Sequence, residues 1–411
     1  MKRLLAPLVA LAACVALASC QAQTEVAPAK LAEDVKPAVK APPTDLEQLA
    51  QRLVTQSAAV KEGEVVLVSG GPENIELLED IAVQVRKAGA FPLVTVNTDR
   101  LAKRMYTDVP EKYDTQTDQA DLKLAEIVNA TIFVGRETAE GLFADADPKR
   151  LAARQKANEG IQDAYIKHNV RSVEVGNGLY PQEWLAKRYG MTSDDLSKTF
   201  WGGVNVDYTD LQARGAQVSA ALASGSEIHI TDSNGTDLKV RVQGRPYGVS
   251  DGIISAEDMK KGPAGQNVYL PAGEVYVTPV PGTAEGKVVR KKEYFQGQEV
   301  NDLTLNFAAG KLTSFTGSGP GFEKMKAAYD AAGEGKDLFA VVDFGINPNV
   351  KLPAGSQIAT WVPAGTVTVG VGNNVWAGGD NKTAYGYFVS LPGTTVTLDG
   401  KPVVEAGQLK L

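Results

Sequence analysis

Few side chains in this sequence have both the chemistry and the setting that a reactive site needs. The 411 residues include two histidines and two cysteines, so a Ser/His/Asp or Cys/His arrangement has little to draw on. His168 falls near the predicted C-terminus of a helix, where the helix dipole favours a charged imidazole. His229 alternates with Ile228 and Ile230, which places it on the polar face of a predicted strand. We interpret both histidines as structural.

Glu274 is the most informative acidic residue, because a turn and a strand fix its position. Residues 270–286 read LPAGEVYVTPVPGTAEG. From Glu274 onward the residues alternate, with Val275 and Val277 on one face of a predicted strand and the carboxylate on the other. Two prolines then end the strand, since proline donates no ladder hydrogen bond. Carboxylates on a solvated strand face are common, so the pattern alone assigns Glu274 no function.

The segment around Glu274 resembles a known family. PAGEVYVTPVPGTAEGKVV is similar to the P-x-G-E-V-(F/Y)-x-x-P segment of the aminopeptidase T (thermophilic metalloaminopeptidase) family. Residues 177–208 and residues 235–246 resemble two further segments, and the matches run from about residue 60 to residue 411. The resemblance implies the family's fold and implies that Glu274 corresponds to a ligand of one of two catalytic metal ions.

Other ligand positions of the family carry different residues here. Residues 342–349, VDFGINPN, fit the family's E-x-G-I-x-x-N with Asp343 in place of Glu. Residues 365–388 resemble G-T-x-H-I-A-L-G … G-G-x-N-x-S-x-x-H-x-D. In that segment Thr368 and Gly386 stand at the two His positions, and Phe388 stands at the Asp position.

The family's Tyr ligand falls near Val375 or Trp376, so four of the six implied ligand positions hold residues that bind divalent metals weakly or not at all. A catalytic zinc-like site needs about three protein ligands and an open position for water, and a two-metal site needs ligands on both sides. We therefore predict that Glu274 and Asp343 are vestigial metal ligands, with no catalytic residue assigned and no cofactor bound. If the chain is active instead, the resemblance implies two divalent ions, either zinc, cobalt or manganese.

The strand predicted over residues 366–372 alternates valines with small residues. The valines face the core, so threonine and glycine line the other side. Together with Phe388, Tyr385 and Tyr387, these small residues indicate either a roomier, more apolar pocket than the family's or a core filled by neighbouring side chains. The sequence leaves both alternatives open.

The elements that must position these residues fall into two halves. In the first half, helical patterns separate four apolar runs that predict strands, at residues 64–69, 91–96, 130–135 and 171–175. Strands that alternate with helices predict right-handed crossovers and a mainly parallel sheet. Gly190 is predicted to end one helix, and Thr192 to cap the next, which continues to about Ala223.

Strand patterns dominate the second half. Residues 227–242 predict a hairpin in which Asn234 and Gly235 supply the positive φ angles of a primed turn. The predicted fold class is α/β, with an N-terminal mainly parallel α/β domain over residues 46–225. A mixed α+β C-terminal domain over residues 226–411 follows and carries the family's metal-site region.

The first 45 residues indicate export and a tether. Lys2 and Arg3 precede an apolar run that ends at Leu-Ala-Ser-Cys, which resembles the lipobox of bacterial lipoproteins. The pattern predicts a signal peptide over residues 1–19, lipidation of Cys20 and a disordered tether over residues 20–45. The alternative is an ordinary signal with a coincidental cysteine. Gln21 after the cysteine favours the outer membrane, facing the periplasm.

Charge and motifs together narrow the function. The net charge of −7 and the lack of a dense basic patch argue against nucleic-acid binding. We predict a lipoprotein of the bacterial cell envelope, anchored to the membrane through Cys20, with an aminopeptidase T-like fold and an inactive metallopeptidase centre. It would bind a peptide or small ligand, or serve as a structural partner. The alternative is an active metal-dependent aminopeptidase that removes N-terminal residues from peptides. The resemblance also implies a homodimer.

Overall fold

The computed structural model describes residues 44–411, except residues 136–138, 144, 296, 354–355, 357–360 and 384. The predicted signal peptide, Cys20 and all but the last two residues of the predicted tether lie outside the described residues. None of the described helices combines the length and the apolar character needed to span a bilayer.

Most helices begin at an Asp, Thr or Ser whose side chain accepts a hydrogen bond from a backbone N–H of the first turn, as helix N-caps do. The helices are α1 (Leu46–Arg52), α2 (Ile75–Lys87), α3 (Asp99–Thr107), α4 (Gln119–Ile127), α5 (Pro148–Lys167), α6 (Glu183–Arg188), α7 (Ser193–Val204), α8 (Tyr208–Ser224), α9 (Ala256–Met259) and α10 (Pro320–Asp330).

The strands form three sheets, which we call the parallel sheet, the long sheet and the central sheet. The strands are β1 (Val65–Gly70), β2 (Phe91–Val96), β3 (Ala130–Val134), β4 (Arg171–Val175), β5 (Glu227–Thr231), β6 (Asp237–Arg241), β7 (Tyr247–Ser250), β8 (Asn267–Leu270), β9 (Glu274–Val277), β10 (Glu285–Phe295), β11 (Gln298–Ala308), β12 (Lys311–Ser318), β13 (Phe339–Gly345), β14 (Val367–Gly372), β15 (Gly386–Leu391), β16 (Thr395–Leu398), β17 (Lys401–Glu405) and β18 (Gln408–Leu409).

The parallel sheet has the strand order β2-β1-β3-β4-β8, and every pair in it is parallel. This sheet and the strand-rich C-terminal half confirm the predicted fold class. The predicted strands at 91–96 and 171–175 coincide with β2 and β4. The last strand, β8, comes from beyond residue 226 and pairs with β4.

The carboxyl ends of β1 and β3 mark the switch point of the parallel sheet, where doubly wound folds bind ligands. Here a buried side-chain pair fills the position. The Tyr180 hydroxyl donates to Oδ1 of Asn74, whose Nδ2 donates to the Val134 carbonyl at 3.2 Å. A Cβ at Gly135 would lie 2.7 Å from the Tyr180 ring, so the ring packs directly on that backbone.

Two local predictions are wrong. The helix capped by Thr192 ends at Val204, and Asp207 caps a separate helix, α8, by accepting from the Thr209 N–H at 2.8 Å. The last turn of α7 packs closely on the core, since a Cβ at Gly203 would lie 2.6 Å from Val350. The predicted start of α7 at Thr192 is confirmed.

The β5–β6 hairpin also differs from the prediction. Gly235 takes a positive φ of 105°, whereas Asn234 does not take a positive φ. The Asp232 carboxylate accepts from the backbone N–H groups of Asn234 and Thr236, at 2.8 and 3.0 Å. This side-chain turn replaces the primed turn, because Asp readily bonds the backbone two residues on.

The central sheet is antiparallel and has the order β15-β14-β13-β9-β7. One of its faces carries the valines of β9 and β14 into the main hydrophobic core. The long sheet, β12-β11-β10-β6-β5-β16-β17-β18, contributes to the same core. The other face of the central sheet carries the residues predicted to form the site.

Candidate functional site

Glu274 starts β9 directly after a turn that a buried asparagine holds. Asn347 has no exposed surface, and its Nδ2 donates to the carbonyls of Ala272 at 2.6 Å and Gly203 at 3.0 Å. Gly273 has a φ of 132°, and a Cβ there would lie 2.5 Å from the Asn347 Cβ. Only glycine fits this conformation and this close approach, so the turn fixes where Glu274 enters the sheet.

Register places Asp343 in the middle of a row of cross-strand neighbours. It lies opposite Tyr276 on β9 and opposite Thr368 on β14, and Thr368 lies opposite Ser390 on β15. Glu274 precedes Tyr276 by two residues and so shares its face. It is a diagonal neighbour of Asp343, with Cα atoms about 7–8 Å apart. The sheet therefore brings Glu274 and Asp343 together.

This face of the sheet is buried, although the sequence suggested a solvated carboxylate. Glu274 is 5% exposed, Asp343 is 2% exposed and Thr368 is 3% exposed. The hydroxyls of Thr368 and Ser390 form a hydrogen bond of 3.0 Å across the strands. The Thr368 hydroxyl is thus bonded within the sheet.

Aromatic side chains cover the sheet beside this row. Trp376 packs against Tyr276 and Phe388, with ring centroids 5.1 and 6.1 Å apart. The Phe388 ring lies over Gly370, where an added Cβ would be 2.3 Å from the Phe388 Cδ1. Of the two alternatives that the sequence left open, a pocket or a core filled by neighbouring side chains, the structure shows the filled core at this position. Trp376 belongs to this layer, whereas Val375 is 46% exposed.

Gly386 and Tyr387 lie apart from the row formed by Asp343, Thr368 and Ser390. Gly386 lies opposite Gly372, four residues along β14 from Thr368, or about 13 Å at 3.3 Å per residue. Tyr387 is buried in the main core on the opposite face from Phe388, so the expectation that both line one pocket is wrong. Alternation along β15 sends adjacent residues to opposite faces.

The donors on this face do not fit the two-metal centre that the family resemblance implies. The Thr368 hydroxyl is bonded to Ser390, Gly386 has no side chain and Phe388 presents a ring. Within the part of the chain that the structure describes, no group of three or more His, Cys, Asp or Glu side chains is arranged to hold a metal ion.

Both histidines lie away from this sheet. His168 follows the last residue of α5 as its C-cap, as the sequence predicts. His229 lies on β5 of the long sheet, where its Nε2 is 2.7 Å from the Asp237 Oδ1. Ile228 and Ile230 on either side of it have no exposed surface. Their alternation with His229 confirms the predicted polar face.

Two neighbours of the site were not singled out from the sequence. Tyr276 could have been found, because it stands two residues after Glu274 and must share its face. Ser390 could have been found in the same way, because it stands two residues after Phe388 on β15 and shares its face.

Comparisons with known proteins give a family and a fold. The sequence profile of the thermophilic metalloprotease family (M29) matches residues 43–328. The matched segment includes Glu274 and ends before Asp343, Thr368, Gly386 and Phe388. Among curated protein sequences, none matches the chain.

Two solved structures share the fold over most of both chains. Wild-type AmpT from Thermus thermophilus has a TM-score of 0.64 and 17% identity, covering 89% of this chain and 99% of that one. The 2,5-dihydroxypyridine dioxygenase from Pseudomonas putida KT2440 has a TM-score of 0.56 and 14% identity, covering 90% and 98%. Since one of these two proteins is a dioxygenase, the shared fold alone does not fix an activity.

Proposed function

The chain belongs to the thermophilic metalloprotease (M29) family, and from this premise we propose that it is a non-catalytic member that binds peptides or other small ligands. The most direct support comes from the side chains that β14 and β15 carry at the implied ligand positions. Thr368 is bonded to Ser390, and the Phe388 ring covers Gly370, at the positions where the resemblance places a His and an Asp ligand.

We infer the class of ligand from the carboxyl groups and aromatic rings on this face of the central sheet. Two buried carboxyl groups, Glu274 and Asp343, lie on the same face as the rings of Tyr276 and Trp376. Carboxylates and aromatic faces both attract an ammonium group. A ligand that displaced the covering rings would meet both carboxyl groups, and this combination suits the free amino end of a peptide better than an anionic ligand.

The competing function is an active metal-dependent aminopeptidase. Family membership favours it, as does the position of Glu274 and Asp343 on one face of the central sheet. An active enzyme with this fold would need metal ligands beyond these two carboxylates.

Metal content and hydrolysis, measured on the same metal-replete and dialysed sample, separate the two functions. We expect less than one equivalent of zinc, cobalt or manganese. We also expect hydrolysis of leucyl p-nitroanilide no faster than by the Glu274→Ala/Asp343→Ala double variant. Stoichiometric metal together with hydrolysis that this double variant loses would establish the aminopeptidase instead.

A second experiment tests the ligand positions by restoring them. The variant Thr368→His/Gly386→His/Phe388→Asp should melt at a lower temperature without metal and at a higher one with zinc or cobalt. A Cβ at Gly386 would meet only the Phe388 ring, at 3.1 Å, and Gly386 is not among the glycines with positive φ, so the backbone accepts His. At a metal concentration about 100-fold above Kd the gain is about 2.7 kcal/mol.

Phe388→Ala is the control, because it removes the same ring without adding a ligand. It should show no metal-dependent shift in melting temperature. A folded triple variant that also shows none would mean that Thr368, Gly386 and Phe388 are not the ligand positions.

Anchoring through Cys20 is the second part of the proposal, supported by the Leu-Ala-Ser-Cys sequence after an apolar run. Labelling of cells with a fatty-acid analogue should mark the wild type and Cys14→Ala but not Cys20→Ala. Acyl label on Cys20→Ala would rule out this anchor.

A further inference from the structure

A partly enclosed cavity lies at the end of the central sheet that is farther from Glu274. Its volume is about 200 Å³, and its walls come from the segments before β7 and after β9, the start of β13 and the loop between β14 and β15. Phe339, in the wall, starts β13, and Gly345 at the other end of this strand pairs with Glu274. At about 3.3 Å per residue, the cavity lies about 20 Å from Glu274 along the sheet.

Two residues of opposite charge line this cavity, Arg245 and Asp380. Arg245 stands two residues before β7, and Asp380 belongs to the loop between β14 and β15. A Cβ at Gly378 would lie 3.6 Å from the Pro246 Cγ, so this loop packs against the segment that carries Arg245. The two charges nevertheless stay apart, since neither Arg245 nor Asp380 forms an ion pair with a described residue.

The Arg245 side chain has hydrogen-bonding capacity left for a ligand. Its Nη2 donates to the Thr278 hydroxyl at 3.0 Å, which holds the guanidinium against the wall. Its Nε is buried and has no hydrogen-bond partner among the described residues. A buried donor without an acceptor is destabilising, and a carboxylate is the acceptor that matches the N–H groups of a guanidinium.

Asp380 is positioned by its neighbour in the chain. The Asn381 N–H donates to Oδ1 of Asn374 at 2.9 Å, and Asn374 is buried and donates to the Ala340 carbonyl at 3.2 Å. Asn381 donates from Nδ2 to two further backbone carbonyls, both at 2.8 Å. These bonds fix the backbone beside Asp380 and occupy the amide groups of both asparagines, so Arg245 is the charged donor that the described lining offers.

Much of the remaining lining is apolar and sets the size of the ligand. It includes Pro279, Val280, Ala284, Leu338 and Phe339. A cavity of about 150 Å³ with apolar walls holds a benzene molecule, so this cavity takes a molecule only slightly larger. Such a molecule would carry both charges within a few bonds of each other.

We propose that this cavity binds a free amino acid with an apolar side chain of small or medium size. The ligand carboxylate accepts from the Arg245 guanidinium, its ammonium group donates to the Asp380 carboxylate, and its side chain packs against Leu338 and Phe339. A simple anion would leave Asp380 unused, and a peptide would carry its two charges too far apart for this volume. The site does not depend on Glu274 or Asp343.

Calorimetric titration of the full-length chain with L-leucine tests the proposal. A ligand of this size with two charged contacts should bind with a Kd of about 1 mM or below. Two analogues each lack one charge: 4-methylpentanoate has no ammonium group, and 3-methylbutylamine has no carboxylate. Each should bind at least about tenfold more weakly than leucine.

Two variants assign each charge of the ligand to its partner. Arg245→Gln should weaken leucine at least about tenfold and leave 3-methylbutylamine unchanged, whereas Asp380→Asn should weaken leucine and leave 4-methylpentanoate unchanged. Arg241→Gln is the matched control, because Arg241 is exposed and does not line the cavity. It should bind leucine as the wild type does.

The Glu274→Ala/Asp343→Ala double variant separates this site from the peptide site proposed above, and it should bind leucine with the wild-type Kd. Loss of leucine binding in this double variant would overturn the proposal. So would a wild type that shows no binding at about 10 mM leucine, tenfold above the expected Kd. Leucine affinity that neither Arg245→Gln nor Asp380→Asn changes would overturn it as well.

Discussion

Gly370→Ala tests whether the Phe388 ring covers β14. Gly370 is not among the glycines with positive φ, so its backbone accepts alanine. The new Cβ would lie 2.3 Å from the Phe388 Cδ1, 2.7 Å from its Cε1 and 2.9 Å from the Tyr387 carbonyl oxygen. Real Cβ atoms do not approach other atoms this closely, so the Phe388 ring must move away from β14.

The expected loss of stability follows from the displacement of the Phe388 ring. Forcing extra volume into a packed site costs about 1–3 kcal/mol, and we expect about 2 kcal/mol for Gly370→Ala. Phe388→Ala removes a half-buried ring and should cost about 2 kcal/mol, below the 3–5 kcal/mol of a fully buried one. In the double variant the new methyl no longer meets the ring. The combined cost should therefore fall about 1–2 kcal/mol short of the sum.

The assay is urea unfolding of the four proteins of this double-mutant cycle, followed by tryptophan fluorescence. Gly160→Ala is the matched control, because a Cβ there has no neighbour within 4 Å and the residue lies inside α5. It should stabilise the protein by about 0.5–1 kcal/mol. Strict additivity of Gly370→Ala and Phe388→Ala would refute the reasoning, since the ring would then not lie over Gly370.

Three further predictions concern substitutions at Asp114, Tyr180 and Thr192. Asp114→Asn should lower stability at pH 7 by about 3 kcal/mol, because the carboxylate is buried between two guanidinium groups, with the Arg150 Nε at 2.5 Å. Those groups lower the pKa of Asp114 in the folded protein. The carboxylate therefore stabilises the fold above its unfolded-state pKa of about 3.9, and this stabilisation is lost as the pH falls through the lower, folded-state pKa. Acid titration of unfolding should therefore be shallower in the variant. Tyr180→Phe leaves the buried Asn74 Oδ1 without its donor and should cost about 1–3 kcal/mol in urea unfolding. Thr192→Ala removes the α7 cap and should cost about 1 kcal/mol, whereas Thr192→Ser should restore it.

The parts of the fold that were predictable depend on local patterns. Apolar runs between helical patterns located β2 and β4 at their observed bounds, and the alternation predicted a parallel sheet. The cap at Thr192 was predictable because a cap is made within one turn. The end of that helix at Val204 was missed, although the Asp207 cap of α8 is a local signal of the same kind.

The site was predictable in outline only. Alternation along β9 put Glu274 opposite the valines, and the structure confirms this. The pattern could not show that the carboxylate face is also buried, because Trp376 and Phe388 cover that side of the sheet from about 100 residues later. The bond between Thr368 and Ser390 likewise depends on a cross-strand register that neither segment encodes alone.

The pairing of β8 with β4 bears on how the chain can be cut and in what order it can fold. Val175 and Leu270 are register partners, so the parallel sheet gains its fifth strand only after the chain is made through Leu270. A fragment that stops near residue 225 would leave the β4 edge of the sheet exposed and open to pairing with other chains. Closing this long connection slows assembly, since distant pairings form late. A chain made from its N-terminus therefore holds an unfinished sheet while β5 to β8 emerge, and the sheet can be completed only once Leu270 has been made.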